Sequence, residues 1–352
     1  MSVAIVTGSS GLVGSAAVKF LSNKGFDVIG IDNNMRRTFF GEEGSTEQFG
    51  LQLKNGVRNF INVNLDIRDM QGLSDLFRVH GKAIHVVIHC AAQPSHDWAA
   101  KNPLVDFEVN ATGTLNLLEQ TRNNCPDARF IFMSTNKVYG DKPNEYPYDE
   151  LQTRWSPSAD HPWDLGFAED LSIDSSTHSI FGVSKVSADL MTQEYGRYFG
   201  LNTAVFRGGC LTGPDHAGVE LHGFLSYLIK SVVSGRPYVV FGHKAKQVRD
   251  NIHTEDLVEA FWEFISNPSQ GAVYNIGGGA AANVSMLEAI TMAQEISGKE
   301  LSWTLDDTAR KGDHIWYVSD TRKFERDFPG WKVKSGIRHI IEEMVHREVD
   351  SQ

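Results

Sequence analysis

Cysteine is scarce in this chain of 352 residues. Cys90, Cys125 and Cys210 are too few for a disulfide framework, and no two stand at a zinc-ligand spacing. They read as reduced thiols, and no metal site is expected. Positive charge is also in deficit: 33 Lys and Arg against 44 Asp and Glu leave a formal charge of −11. An acidic surface repels phosphate unless it carries a local basic groove, so nonspecific binding to nucleic acid or an anionic membrane is disfavoured, and any phosphate ligand must be small and held locally. No apolar run approaches the ~18 residues of a membrane span. The first residues pass into an apolar strand with no basic region before it, so no secretory leader is expected and the chain reads as cytoplasmic. Internal repeats and low-complexity tracts are absent too.

What is present is ordinary globular composition, 41% hydrophobic and 22% charged, in a chain long enough for one large core or two smaller ones. As far as about residue 207, short β-branched runs alternate with longer amphipathic stretches. Ala4–Val6, Asp27–Ile31, His85–His89, Arg129–Met133 and Thr203–Phe206 read as buried strands with helices between them. That alternation predicts an α/β fold, a doubly wound parallel Rossmann sheet covered on both faces. After Arg207 the rhythm loosens around Gly208-Gly209, Gly213-Pro214 and Gly277-Gly278-Gly279, and a smaller, interleaved C-terminal α/β lobe is expected. The expected division is 1–207 as the nucleotide-binding part, with 236–272 returning to it, and 208–235 with 273–352 as the substrate lobe. Tyr238–Phe241 and Val273–Ile276 are the runs that can rejoin the main sheet or its edge. From Asp141 to about Ser176 there is little periodicity and many turn formers. Loops of that length are usually lids or disordered, and its aromatic residues argue for order.

Gly8-Ser9-Ser10-Gly11-Leu12-Val13-Gly14 directly follows the first strand and opens a helix. Glycine is needed there for a tight turn, for close approach to a pyrophosphate and for helix-to-sheet packing, so that free N–H groups at the helix start can hold the anion. Alone the triplet indicates only a strand-to-helix turn. Its context strengthens it: the second strand ends at Asp32-Asn33, roughly 20 residues on, where a carboxylate accepts from an adenosine ribose 2′-OH and repels a 2′-phosphate. NAD is therefore favoured over NADP, with Arg36 and Arg37 as the counter-evidence. Asp66 and Ile67 are expected against the adenine, and Ala91, Ala92 and Gln93 beside the diphosphate, the small alanines permitting close approach. For these two stretches plain strand-to-loop packing is the competing reading.

The glycine triplet, the Met133-Ser134-Thr135-Asn136-Lys137-Val138-Tyr139-Gly140 strand end and Ser184-Lys185 together resemble the extended short-chain dehydrogenase/reductases, specifically the NAD-dependent nucleotide-sugar epimerase/dehydratase family. The resemblance spans nearly the whole chain. It implies proton transfer beside the nicotinamide by a Ser or Thr, a Tyr, and a Lys four residues after the Tyr. Here these positions are Thr135, residue 181 and Lys185, with Lys185 and Asn110 also counted at the cofactor. A tyrosine acts as a base near neutrality only with positive charge close by, and a lysine four residues on shares its helix face. Residue 181 is Phe181, which neither accepts nor donates that proton. Three readings stay open: an engineered Tyr→Phe change, a different natural acid/base group, or a cofactor-binding protein without catalysis. For the second, the candidates are His178, Ser179, Tyr139, Thr135 and Cys210. His178 stands out because imidazole titrates near neutrality unaided, though it equally suits a solvent-facing loop.

On the substrate side, Arg249-Asp250-Asn251-Ile252-His253-Thr254-Glu255-Asp256 resembles the family segment whose arginine holds the nucleotide diphosphate. Arg310 resembles a second such arginine. Gln93, Thr135, Asn136, Lys137 and Cys210 complete the expected substrate set, Cys210 standing where many relatives carry asparagine. Within the family the likeness is to the CDP-paratose 2-epimerase branch, carried by Ser134–Asp141, Tyr146–Trp155, Phe199–Thr203 and Gln247–Asp250. It implies transient oxidation of a CDP-sugar at C2 by tightly bound NAD, return of the hydride to the other face, and a homodimer through helices near Phe107–Arg122 and Lys185–Tyr198. A 4-epimerase, decarboxylase or reductase is the nearest alternative. A dehydratase would need an acid beside Thr135, where Asn136 and Lys137 stand.

Overall fold

The computed structural model describes residues 2–216, 218–220, 222–309 and 312–351. Along the chain run β1 (Val3–Thr7), α1 (Leu12–Asn23), β2 (Asp27–Ile31), α2 (Arg36–Phe40), α3 (Glu47–Gly56), β3 (Phe60–Val63), α4 (Met70–His80), β4 (Ile84–His89), α5 (His96–Lys101), α6 (Pro103–Phe107), α7 (Gly113–Asn124) and β5 (Arg129–Thr135). Next come β6 (Tyr148–Glu150), β7 (Trp155–Pro157), α8 (Ser179–Phe199), β8 (Asn202–Gly208), β9 (Cys210–Thr212), α9 (Phe224–Ser234), β10 (Tyr238–Phe241), β11 (Val248–His253), α10 (Thr254–Ser266) and β12 (Ala272–Ile276). β13 (Asn283–Ser285), α11 (Met286–Ser297), β14 (Trp303–Asp306), β15 (Trp316–Tyr317), α12 (Arg322–Asp327) and α13 (Ile337–Asp350) follow. Two compact units result. The first comprises Met1–Val138, Ile180–Arg207 and Leu257–Tyr274, the second Tyr139–Ser179, Gly208–Asp256 and Asn275–Gln352.

The first unit is a Rossmann fold around a seven-stranded parallel sheet in the order β12-β8-β5-β4-β1-β2-β3. Every residue of β1 is buried, which is why the strand reads as a continuous apolar run rather than an alternating one. Its core takes Ile5, Ile29, Val87, Phe130 and Val205 from the strands and Leu73, Phe77, Leu117 and Leu118 from the helices. Strand order reverses between β1 and β4, so a crevice opens at their carboxyl ends, the place where open α/β sheets bind ligands. α4 is started by Asp69, whose carboxylate accepts from Gly72 N at 3.0 Å. The sequence reading missed β3. It is a short edge strand with only Phe60 fully buried and Ile61 exposed, so its hydrophobic pattern is weak.

The second unit packs α9, α11 and α13 over β10 and β13, with Leu228, Ile229, Ala289, Ile290, Ile340 and Ile341 at its centre. β11 pairs antiparallel with β13 and parallel with β9 and β15. α11 starts with a capping box in which Ser285 and Glu288 satisfy each other's backbone N–H groups. The expected order in the long segment after Gly140 is present. β6 and β7 form a hairpin, His161 packs on Tyr146, Tyr148 and Trp316, and Arg154 donates to Glu288 through Nε at 2.8 Å.

Two placements differ from the sequence reading. Tyr238–Phe241 does not rejoin the main sheet: as β10 it pairs with β14 in a separate two-stranded sheet, because Trp303–Asp306 supplies a partner far along the chain. The segment returning to the first unit is Leu257–Tyr274 instead of 236–272, and Tyr139–Ser179 groups with the second unit. The β10–β14 pair joins segments far apart in the chain, and local pattern does not reveal such pairs.

Candidate active site

At the end of β1 the chain turns through Gly8, whose φ is +65°, and a Cβ there would lie 2.8 Å from Ala91 N. The turn is pinned by Gly8 N donating to Ile31 O at 2.8 Å and by Ala91 N donating to Thr7 Oγ1 at 3.1 Å. Gly11 stands at the N-cap of α1 in extended conformation, and no side chain caps the helix. The leading N–H groups of Leu12 and Val13 are thus left without intrahelical partners, as in an anion site. Gly14 lies in the first turn, and a Cβ on it would sit 2.0 Å from the Gly8 carbonyl oxygen. Only glycine lets helix and loop meet there.

Asp32, just past β2, accepts from Ser10 N at 2.9 Å and from Asn34 N at 2.8 Å, which fixes its carboxylate beside the glycine loop. Arg37 is paired with Glu42 through Nε at 2.7 Å. Arg36 lies over the Phe40 ring and donates to Gly44 O at 3.2 Å, burial pushing its guanidinium down to about 10. Both arginines thus have partners among the chain's own groups, which weakens the case for a 2′-phosphate. Asp66 accepts from Arg68 Nη2 at 2.7 Å and from Asn33 Nδ2 at 3.1 Å. Burial opposes its ionisation, but the Arg68 bonds outweigh that and hold it below the usual carboxylate range. Ile67 is buried against Gly113, a core position.

Ala91 and Ala92 are half-buried after β4, while the Gln93 side chain is fully buried. Its Nε2 donates to Ser95 O at 2.9 Å and to Asp106 Oδ1 at 2.6 Å. Asn110, in a π-helical turn between α6 and α7, donates to Gln93 O, Asp106 Oδ1 and Ser184 Oγ at 3.0, 3.1 and 3.0 Å. Gln93 and Asn110 therefore brace the loop after β4, and Gln93 has no side-chain atom left for a ligand. π-turns of this kind recur at functional sites.

Thr135 ends β5, half-buried, its hydroxyl donating to Asn136 Oδ1 and accepting from Lys137 N, each at 3.3 Å. Asn136 is buried and Lys137 half-buried. Lys185 on α8 is 4% exposed, donates to Met133 O at 2.9 Å and sits 4.2 Å from the centre of the Phe132 ring. Burial lowers its pKa to about 8, against the opposing charges of Cys90, Asp189 and Asp106. One helical turn on, Asp189 receives Arg207 in a two-pronged pair at 2.9 and 3.0 Å and the Ser134 hydroxyl at 2.7 Å. That pair is 6% and 1% exposed and locks α8 against β5 and β8. Phe181, one turn before Lys185, is buried, and its ring lies 4.9 Å from that of His96.

In the second unit, His178 is half-buried, its Nδ1 3.0 Å from Ser176 O, in a stretch where Ser175 and Ser179 both have positive φ. Tyr139 donates to Asn275 Oδ1 at 2.7 Å and is fully buried, so its phenol is structural. Cys210 lies on β9 opposite Asn251. Arg249 is buried on β11 and ion-paired with Asp313, and its Nη1 donates to Val248 O at 2.7 Å. Next to it Asp250 accepts from Ser319 N at 2.9 Å, and burial pushes its carboxyl up to about 6. Arg310 lies outside the described residues. Among the described residues no group of three metal-ligating side chains occurs.

The sequence reading missed Asp106, Asp189 and His96. The first two sit on helices as single acids with no motif around them. His96 follows three residues after Gln93, and its signal was only that of a histidine in a loop already assigned to the site.

The NAD dependent epimerase/dehydratase family model matches residues 4–277. The CDP-paratose 2-epimerase of Salmonella typhi is 31% identical over 347 residues, 97% of each chain. A dTDP-glucose 4,6-dehydratase of Escherichia coli is 28% identical, covering 96% of this chain and 91% of its own. Among solved structures, a UDP-glucuronic acid 4-epimerase mutant of Bacillus cereus, in complex with UDP-4-deoxy-4-fluoro-glucuronic acid and NAD, matches with a TM-score of 0.80. It is 23% identical and covers 99% of this chain and 100% of its own, a likeness of fold.

Proposed function

The chain belongs to the NAD-dependent epimerase/dehydratase family, and from that premise we propose that it epimerises a nucleotide-diphosphate sugar, inverting C2 of a CDP-sugar. The observation that carries the proposal is the 31% identity with a CDP-paratose 2-epimerase over 97% of each chain. NAD is the family's cofactor, and the residues present fit it. The uncapped start of α1 and the glycine-only approach between Gly8 and Gly14 suit a pyrophosphate, and Asp32 suits an unphosphorylated ribose. Gly8, Ser10, Gly11, Leu12, Val13 and Gly14 would cradle it. When bound, NAD supplies the acceptor that takes a hydride from the sugar carbon and later returns it.

The chain's own residues do the rest. Thr135 would hydrogen-bond the reacting hydroxyl. Lys185, close to neutrality in its pKa, would bind the nicotinamide ribose and add positive potential beside the proton in transit. Asn136 and Lys137 would orient the sugar. Arg249 would give up or share its Asp313 partner to hold the diphosphate, a geometry its planar fork favours. A neutral Asn136 next to Thr135 argues against dehydration, despite the identity with dTDP-glucose dehydratases. A homodimer is proposed from the exposed Phe107, Leu190 and Tyr198 on and beside the helices named for it, and a cytoplasmic location from the absence of disulfides.

Phe181 favours a second reading, an NAD-binding scaffold without turnover. Incubating the purified protein and its Phe181→Tyr variant with CDP-, UDP-, GDP- and dTDP-sugars separates the two. The epimerase reading expects interconversion of C2 epimers of a CDP-sugar with no net NADH. Net NADH release would mean a dehydrogenase, and bound NAD with no turnover by either form would mean a scaffold.

A further inference from the structure

The phenylalanine at position 181 leaves the hydroxyl proton without an acceptor, and the structure offers one in direct contact with it. The rings of Phe181 and His96 stand 4.9 Å apart between centres and 63° apart in plane, the edge-to-face arrangement of a packed aromatic pair. His96 begins α5 in the segment after β4, whose Ala91 abuts the glycine turn. It is half-buried.

The position of His96 is held by a buried hydrogen-bond chain running to the turn that carries Phe181. Ser95 caps α5 by accepting from Trp98 N at 3.2 Å, and its own N–H donates to Gln93 Oε1 at 2.5 Å. Gln93 donates to Asp106 and Asn110 donates to Ser184 Oγ, while the Ser184 hydroxyl donates to Phe181 O at 3.0 Å. Trp98, on the same short helix, packs against Phe39 at 4.7 Å. These bonds fix the backbone on which His96 stands, and the Phe181 contact meets its ring; a proton acceptor must be held in place to work. Titratable groups on its own helix and on the elements around it are Asp97 and Lys101 on α5, Asp106 on α6, Lys185 on α8 and Arg36 and Arg37 on α2.

We propose that His96 is the group that exchanges the sugar hydroxyl proton in this chain, the task a tyrosine at 181 performs in the family. This rests on the epimerase reading above. In the step, the sugar O–H breaks and its proton passes to an imidazole nitrogen of His96 as the carbon's hydride departs to the oxidised dinucleotide, and a carbonyl forms. Return of both to the carbonyl, the hydride to its other face, completes inversion with nothing consumed. Phe181 then serves as the apolar wall on which the imidazole rests. An imidazole changes charge near neutrality without a lysine's help, which frees the reaction from the phenol.

The test uses the NAD-loaded full chain with whichever nucleotide sugar it turns over. His96→Gln is expected to lower kcat by roughly 10²- to 10⁴-fold, with KM and bound NAD changed less than about threefold. The acid limb of the kcat/KM profile, set by an imidazole in the unsubstituted chain, is expected to vanish. Adding Phe181→Tyr to His96→Gln should restore at least about tenfold of the loss. In histidine-labelled unsubstituted protein, the ring resonance identified by its absence from His96→Gln, or from His96→Asn should the first variant fold poorly, should titrate and move when the nucleotide sugar is added. A His96→Gln protein with kcat within about threefold of the unsubstituted chain, an unchanged acid limb, or a resonance indifferent to the sugar overturns the proposal. An unsubstituted, NAD-loaded chain that turns over no nucleotide sugar refutes the epimerase reading itself, a result distinct from an active chain with an active His96→Gln variant.

Discussion

Replacing Lys185 by methionine should separate what the lysine does for catalysis from what it costs the fold. The ammonium is 4% exposed, and burial brings its pKa from 10.5 to about 8. The folded chain therefore releases this proton before the unfolded chain does. Below pH 8 both states carry it and the full penalty of the buried charge stands. Between about 8 and 10.5 the unfolded state binds more protons, so the lysine-bearing chain gains stability relative to the variant as pH rises. From about pH 7 to about pH 10 that relative gain amounts to about 2.5 kcal/mol. The neighbouring Cys90 thiol, pushed up to about 12 by burial, stays protonated through the window. Near pH 7 the variant keeps the packing of the stem and sheds the charge but leaves Met133 O without its donor, at about 1–3 kcal/mol. It should therefore match or exceed the unsubstituted chain by up to ~2 kcal/mol there while losing activity. Urea unfolding of both proteins across that pH range measures the difference directly. A difference constant within about 0.5 kcal/mol from pH 7 to 10 would refute the reasoning.

Three further outcomes follow from the same geometry. Gly14→Ala places a methyl against the Gly8 carbonyl oxygen, so the protein should purify with little NAD while keeping its circular dichroism, as cofactor content after gel filtration would reveal. Asp32→Ala removes the carboxylate held by Ser10 and Asn34, and should narrow the preference for NAD over NADP by roughly tenfold in titrations of the stripped protein. Arg207→Met leaves Asp189 buried without its counter-charge, costing about 3–5 kcal/mol in denaturant unfolding, and Asp189→Leu added to it should recover much of that loss.

Much of the first unit was legible because its sheet is buried on both faces, which makes strands such as Val3–Thr7 continuous apolar runs, and because Gly8, Gly11 and Gly14 stand where backbone must touch backbone. Thr135, Phe181 and Lys185 were placed by motif, and they fall on β5 and α8 of that one unit. Other features lay out of reach. The pairing of Tyr238–Phe241 with Trp303–Asp306 joins strands more than sixty residues apart, and nothing local announces it. Asp106 and Asp189 act through partners on other elements. Gln93 and Asp66 were expected at ligands, yet each has its side chain spent on protein groups, since a sequence names a polar residue without saying what will reach it first. His96 matters only because the fold sets it against Phe181, and no spacing in the chain encodes that contact.

The central claim, inversion of a nucleotide-sugar carbon by oxidation and return, is tested most directly with a CDP-sugar deuterated at C2. Given to the NAD-loaded protein, it should yield the C2-inverted sugar with deuterium still at C2 and the cofactor oxidised at the end. Deuterium lost to solvent, or no inverted sugar from protein shown to carry a full complement of NAD, would contradict the account.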